Sequence, residues 1–277
     1  MLEALTRPGI EHATSSDNQT PSRQPWRRAA PPPPPDVRVV GGWASPSVMR
    51  VCVALRLKGV AYEFLQEELG KKSGLLLASN PVHKKMPVLL HGGRPVCESL
   101  VIVEYVDETF AGSGRRILPA DPYDRAVHRF WAEYADAKVK SRSAAISVGN
   151  RIRGLVTDLP LPTALRTLMG MIGGDKAEAA EQLEEAFAAC SKGRGFFAGD
   201  DVGFLDIVLG SYVGWFRAAE QITGKPVLDE ARTPRLAAWA ARFCAHEAVG
   251  DLMPDAGRLV EFGEALRAAL AANATQP

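Results

Sequence analysis

The apolar positions along the chain change their period several times. At Val37-Arg38-Val39-Val40 they are β-branched and run together as in a buried strand. From Val48 they recur as Val48, Val51, Cys52 and Leu55, the 3.6-residue spacing of a helix that ends near Gly59. Ser45-Pro46 marks its start, a side-chain cap followed by proline at the first helical position. Tyr62-Glu63-Phe64-Leu65 reads as the next strand, and a helix of this length between two strands makes a βαβ unit with parallel strands. Residues 66–80 are polar and irregular around Leu75-Leu76-Leu77, which predicts loop with a short helix. Val88-Leu89-Leu90 and Arg94-Pro95-Val96-Cys97 form a hairpin whose tight turn is Gly92-Gly93, a pair suited to positive φ. Pro87 has no ladder donor and belongs at the mouth of that hairpin. Ser99 stands where a helix N-cap is expected, and Leu100, Val103, Val106 and Asp107 follow on a helix that stops at Ala111-Gly112-Ser113-Gly114.

After this point strand character disappears. Asp121-Pro122 caps a long helix, and Asp175-Lys176-Ala177-Glu178 is a capping box before Leu183, Phe187 and Cys190. Gly203 with Asp206 three residues on begins another helix, which contains Trp215; Thr233-Pro234 begins one carrying Leu236, Trp239, Ala240 and Phe243 on one face; Ala256 to Ala272 is a last amphipathic helix. The pattern predicts an α/β domain over residues 37–113, with a small mixed sheet, followed by an all-α bundle of about five to seven helices over 121–273. Residues 1–36 differ in composition, with few periodic apolar residues and the run Pro31 to Pro35, and are expected to be a disordered Pro-rich extension. This stretch has no apolar centre of the secretory kind. Arg7, Arg23, Arg27 and Arg28 hint at organelle targeting, but Glu3, Glu11, Asp17 and Asp36 count against it.

Composition narrows the function classes. A hydrophobic content of 46% over 277 residues can bury a sizeable core, and a net charge of +1 gives no reason to expect nucleic acid or an anionic membrane as partner. No run approaches the roughly eighteen apolar residues of a membrane span. Cys52, Cys97, Cys190 and Cys244 are scattered, as free thiols of a reducing, cytoplasmic compartment would be. No Gly-rich dinucleotide fingerprint follows a strand, and His12, His83, His91, His128 and His246 show no ligand spacing, so neither a nucleotide nor a metal is expected.

The chemistry concentrates around Asn80-Pro81-Val82-His83-Lys84-Lys85-Met86-Pro87 and Glu98-Ser99. A hairpin opening into a helix N-terminus presents free N–H donors and a positive dipole end, which suits a small carboxylate. Read alone, Ser45 is a plain N-cap before proline, and Lys72, Lys84 and Lys85 are a solvated loop surface.

The strings Trp43-Ala44-Ser45-Pro46, Arg50-Val51, Lys72-Ser73, Leu75-Leu76-Leu77, Asn80-Pro81-Val82-His83-Lys84-Lys85, Pro87-Val88-Leu89, Glu98-Ser99 and Tyr105-Val106-Asp107-Glu108 occur in this order. With Asp121-Pro122-Tyr123, Arg129-Phe130-Trp131-Ala132 and Gly203-Phe204-Leu205-Asp206-Ile207 downstream, the chain from about Val37 to its last helix resembles the glutathione transferases, and within them the plant tau class. The resemblance implies a thioredoxin-like first domain, a helical second domain that holds small hydrophobic electrophiles, glutathione as co-substrate and a homodimer. It implies that Ser45 is the catalytic serine, whose hydroxyl donates to the glutathione thiolate. Glu98 and Ser99 would hold the γ-glutamyl end, Lys72 and Lys85 the glycyl carboxylate, and the Met86 backbone the cysteinyl peptide, with the Met86-Pro87 bond cis. Arg50 and Asp206 fit structural roles. For the second substrate the matching positions are Ser47, Lys140, Ala144 and Trp215. Ser47 replaces the usual Phe, Gly42 stands where an aromatic often precedes the serine, and Lys140 and Ala144 fall where an aromatic and a basic residue are common, which leaves Trp215 as the best wall. An extra stretch around Thr157 to Gly174 would reshape the rim. Attack on carbon by the thiolate is the leading expectation, with reduction of hydroperoxides in the same site, or carriage of apolar ligands without turnover, as alternatives. A thiol-disulfide activity would need a cysteine where Ser45 stands.

Overall fold

A computed structural model describes residues 36–68, 71–140 and 177–274. The expected extension over 1–36 lies outside the described residues except for Asp36, as do Ala144, the stretch from Thr157 to Gly174, and Asp175-Lys176 of the capping box.

Strand β1 (Val37–Gly41) leads into helix α1 (Pro46–Leu57) and then β2 (Glu63–Gln66), which pairs parallel to β1. After α2 (Gly74–Ser79), β3 (Val88–His91) runs antiparallel to β1 and β4 (Arg94–Cys97) antiparallel to β3, giving the order β2-β1-β3-β4. Gly92 and Gly93, at φ 56° and 74°, make the hairpin turn as their sequence predicts. Helix α3 (Ser99–Thr109) closes this thioredoxin-like half, packing beside α1 over Val51, Leu55, Ile102, Val103 and Val106. The helical half comprises, among the described residues, α4 (Pro122–Lys140), α5 (Ala177–Ser191), α6 (Phe204–Gly210), α7 (Val213–Thr223), α8 (Pro234–Ala245) and α9 (Ala256–Ala274). One apolar core continues through both halves, from Val39 and Leu89 in the sheet to Phe204, Trp239 and Phe243 among the helices.

Two buried carboxylates organise the joins. Asp107, near the end of α3, pairs with Lys58 Nζ at 2.7 Å and accepts the N–H groups of Ile117 and Leu118, so it fastens the connector to the α1 end. Burial works to raise the Asp107 carboxyl, but Lys58 and the two amides more than offset it and hold it below the usual range. At Gly114, φ +59°, an added Cβ would lie 2.3 Å from the Leu57 carbonyl oxygen, so only glycine lets the connector lie against α1. Asp206 is wholly buried and accepts N–H groups from Phe197, Ala198 and Gly203 and the Trp239 indole, closing the capping box its sequence predicts. Desolvation pushes its carboxyl up to about 6 despite these donors. Replacing Asp206 by Ala strands four donors at once, and urea denaturation should show a loss of about 3–5 kcal/mol.

Candidate active site

The register of the sheet brings the sequence-predicted residues to one edge. Gly41 pairs with Gln66, Val40 with Val88, and Val88 with Cys97, so the last residues of β1, β2 and β4 and the first of β3 lie side by side. The segments leaving that edge are Gly42 to Ser45, Glu67 to Ser73, Lys85 to Pro87, and Glu98-Ser99.

Ser45 is the N-cap of α1, in extended conformation, with only 7% of its surface exposed. Its Oγ accepts the Val48 N–H at 3.4 Å, a long cap bond, and is bonded by no His or carboxylate among the described residues. Its proton is therefore free to donate, at a helix end whose dipole favours an anion. No base stands beside it to abstract that proton, which excludes a Ser-His-Asp nucleophile among the described residues. Beside it, the Met86 side chain lies over Gly42, with Sδ 3.3 Å from where a Cβ would be. The Met86-Pro87 peptide bond is cis, as the resemblance implies.

The cap of α3 differs from the expectation. Glu98, not Ser99, occupies the N-cap, at φ 71° and ψ 118°, without a side-chain cap bond; Ser99 is the first helical residue and is buried. The Glu98 side chain is exposed, with His83 Nε2 4.0 Å from its Oε1 at the rim. Ser99 Oγ accepts from Arg50 Nη1 at 3.4 Å. Arg50 is wholly buried and donates also to Ser211 Oγ, to the Val208 carbonyl and, as an ion pair, to both carboxylate oxygens of Asp136. Burial opposes its charge, but Tyr212 and Asp136 overcome that and hold the guanidinium above its usual range.

Lys72 and Lys85 are both exposed, with their loops fixed by neighbours that sequence reasoning missed. The buried Glu67 accepts the Ser73 N–H and hydroxyl, and Ser73 in turn caps α2 through Leu76 N. Asn80, 3% exposed, accepts the His83 N–H and donates to the Lys85 carbonyl, bending the chain toward Met86. The signal for Asn80 was present as an Asn-Pro turn start; a buried Glu in a polar loop leaves none.

Of the second-substrate positions, Ser47 is buried in α1 and Lys140 ends the described part of α4. Trp215, expected as a pocket wall, is 2% exposed and donates its indole N–H to the Ala44 carbonyl at 2.9 Å. A groove of about 620 Å3 between α5 and α8, lined by Ser191, Arg194, Arg235 and Arg242, shares no residue with this edge. Burial pushes the Cys52 thiol up to about 11 and raises the other three, so none is a ready thiolate.

Residues 35–108 match the family model of the glutathione S-transferase N-terminal domain, and residues 174–242 that of the C-terminal domain. The chain is 48% identical to the probable glutathione S-transferase GSTU6 of Oryza sativa subsp. japonica, over 83% of this chain and 94% of the rice protein. It is also 48% identical to glutathione S-transferase U17 of Arabidopsis thaliana, over 83% and 95%. It belongs to the glutathione S-transferases, in the plant tau class. The tau-class enzyme of mango, Mangifera indica, superposes with a TM-score of 0.69 at 44% identity, over 83% of this chain and 98% of that one. Rice GST1, solved in complex with glutathione, superposes with a TM-score of 0.65 at 34% identity, over 84% and 99%. The protein is accordingly a transferase with glutathione as co-substrate.

A backbone held at φ 71° without glycine stores strain at the edge of this transferase site. Compared with Glu98→Ala, Glu98→Gly lacks the same side chain but relaxes the backbone. It should be about 1 kcal/mol more stable to denaturant.

Proposed function

We propose that the enzyme conjugates glutathione to small hydrophobic electrophiles by stabilising the thiolate with the Ser45 hydroxyl. The observation that carries this reading is an Oγ at the N-terminus of α1 with, among the described residues, its proton uncommitted and no base beside it. A free thiol near pKa 8.5 is only a few per cent ionised at pH 7. A charge-assisted bond of about 1.5–3 kcal/mol would lower that value by about one to two units. The pocket then needs only to hold an electrophile within reach of a preformed nucleophile. The thiol proton passes to solvent as the thiolate forms; the sulfur then forms the new bond to carbon and the leaving group departs with its electron pair.

In this reading the segment 37–113 takes glutathione. Ser99 and its backbone N–H meet the γ-glutamyl carboxylate, Glu98 its ammonium, Lys72 and Lys85 the glycyl carboxylate, and the Met86 backbone the cysteinyl peptide. The electrophile lies against 121–273, with the Met86 side chain over Gly42 supporting an apolar boundary. Four free cysteines support a cytosolic setting. Attack on carbon is favoured over the hydroperoxide and carrier readings by relatives named as transferases.

Ser45→Ala should raise the pKa of bound glutathione by about one to two units, read from thiolate absorbance in the ultraviolet, and lower kcat/KM for an aryl halide about 10–100-fold at pH 6.5. An unchanged pKa would remove the serine from the mechanism.

The enzyme is also inferred to work as a homodimer. Val101 on α3 and Phe130 on α4 are 56% and 61% exposed, flanking the Arg129–Glu104 ion pair that ties the two helices together. Large apolar side chains around a paired charge suit a second copy of the same surface. Light scattering should give twice the chain mass for the wild type and a monomer for Val101→Glu/Phe130→Glu.

A further inference from the structure

The turn that presents Ser45 is gripped by helices far away in the sequence. The peptide group between Ala44 and Ser45 is fixed at both of its polar ends. Its N–H, on Ser45, donates to the Gly42 carbonyl at 3.0 Å within the turn. Its carbonyl, on Ala44, accepts the Trp215 indole N–H at 2.9 Å from α7. Because the peptide is planar and trans, these two bonds set the orientation of the plane, and Ser45 Cα and Cβ follow from it. The neighbouring residue is held as well. The Arg258 guanidinium lies over the Trp43 ring at 4.0 Å, and the Phe262 ring meets it edge-on at 5.3 Å. Phe262 also packs at 6.5 Å against Trp215, so α7 and α9 act on the turn as one surface.

We propose that Trp215 is a positioning residue of the glutathione site: its indole N–H, held on the Ala44 carbonyl, aims the Ser45 hydroxyl at the thiolate. The inference rests on the serine mechanism above and adds the part that directs the serine. The ring itself is buried, so its contribution to catalysis runs through the N–H and not through contact with the electrophile. A hydrogen bond to a thiolate weakens steeply as its donor turns away from line. Loss of the Trp215 donor should therefore show as a less acidic bound thiol, with glutathione still captured by its carboxylates.

The test uses the full chain and compares wild type, Ser45→Ala, Trp215→Phe and the double variant. It reads the pH titration of bound glutathione by thiolate absorbance and the pH profile of kcat/KM with an activated aryl chloride. Trp215→Phe should raise the bound thiol pKa by about half to one unit and lower kcat/KM about 3–10-fold at pH 6.5, with the deficit closing at high pH. Its KM for glutathione should change less than about twofold. Added to Ser45→Ala, it should cost nothing more, since a residue that acts only through the serine has nothing left to aim. A Trp215→Phe thiol that titrates as in the wild type, or a loss in the double variant that multiplies the two single losses, would overturn the proposal and leave Trp215 as core. If Ser45→Ala titrates as in the wild type, the serine mechanism falls and this inference with it; a shift in Ser45→Ala alone sinks only the Trp215 role. Should Trp215→Phe not fold, β-(3-benzothienyl)alanine at position 215 exchanges only the N–H for sulfur, and the same two outcomes decide.

Discussion

A single buried guanidinium holds the site and both halves of the molecule in register. Arg50 rises from the first turns of α1 into a place with no exposed surface, and removing such a charge from water costs several kcal/mol before any contact is made. The structure offsets that cost with a set of acceptors for its five donors: both oxygens of Asp136 on α4, the Ser211 hydroxyl, the Val208 carbonyl, and Ser99 at the start of α3. The Tyr212 ring lies 5.1 Å from the guanidinium and donates its own hydroxyl to Asp136. Lysine could satisfy only part of this set. The same cation therefore supports the thioredoxin-like half, the helical half, and a serine at the edge where glutathione is proposed to bind.

That edge is a product of sheet topology. The parallel pair β1 and β2 sends two chain segments out at the same end, and the antiparallel hairpin brings β3 in and β4 out there too. Four segments thus meet without any of them being long. Each is then fixed individually: the Ser73 N–H by Glu67, the Lys85 carbonyl by Asn80, the serine turn by Trp215, and the Ser99 hydroxyl by Arg50. Preorganisation of this kind limits the entropy lost when a flexible tripeptide arrives.

Local signals in the sequence were enough for the elements. The switch from a β-branched run to a period of 3.6 around Ser45-Pro46 located β1 and α1, and Gly92-Gly93 located the hairpin. What local signals could not show was any interaction between distant residues. Ser99 looked like the N-cap because serine is a good cap; the fold instead holds Glu98 at positive φ, against its local preference, and lends Ser99 to Arg50. Trp215 read as a wall of the second-substrate pocket because nothing in its own helix shows that its indole meets a carbonyl 171 residues away. The roles of Ser45, Glu98 and the lysines came from the resemblance, since an N-cap serine and a Lys-rich loop are commonplace by themselves.

Gly114 carries a consequence for ligand traffic. With the connector backbone pressed on Leu57 and Lys58, and its next residues threaded onto Asp107, a hinge between the halves would have to tear open a closely packed seam. The described residues from 36 onward accordingly belong to one compact unit. At this seam, then, entry of substrates and departure of conjugate cannot rely on a clamshell opening; among the described residues they proceed past side chains at a standing mouth.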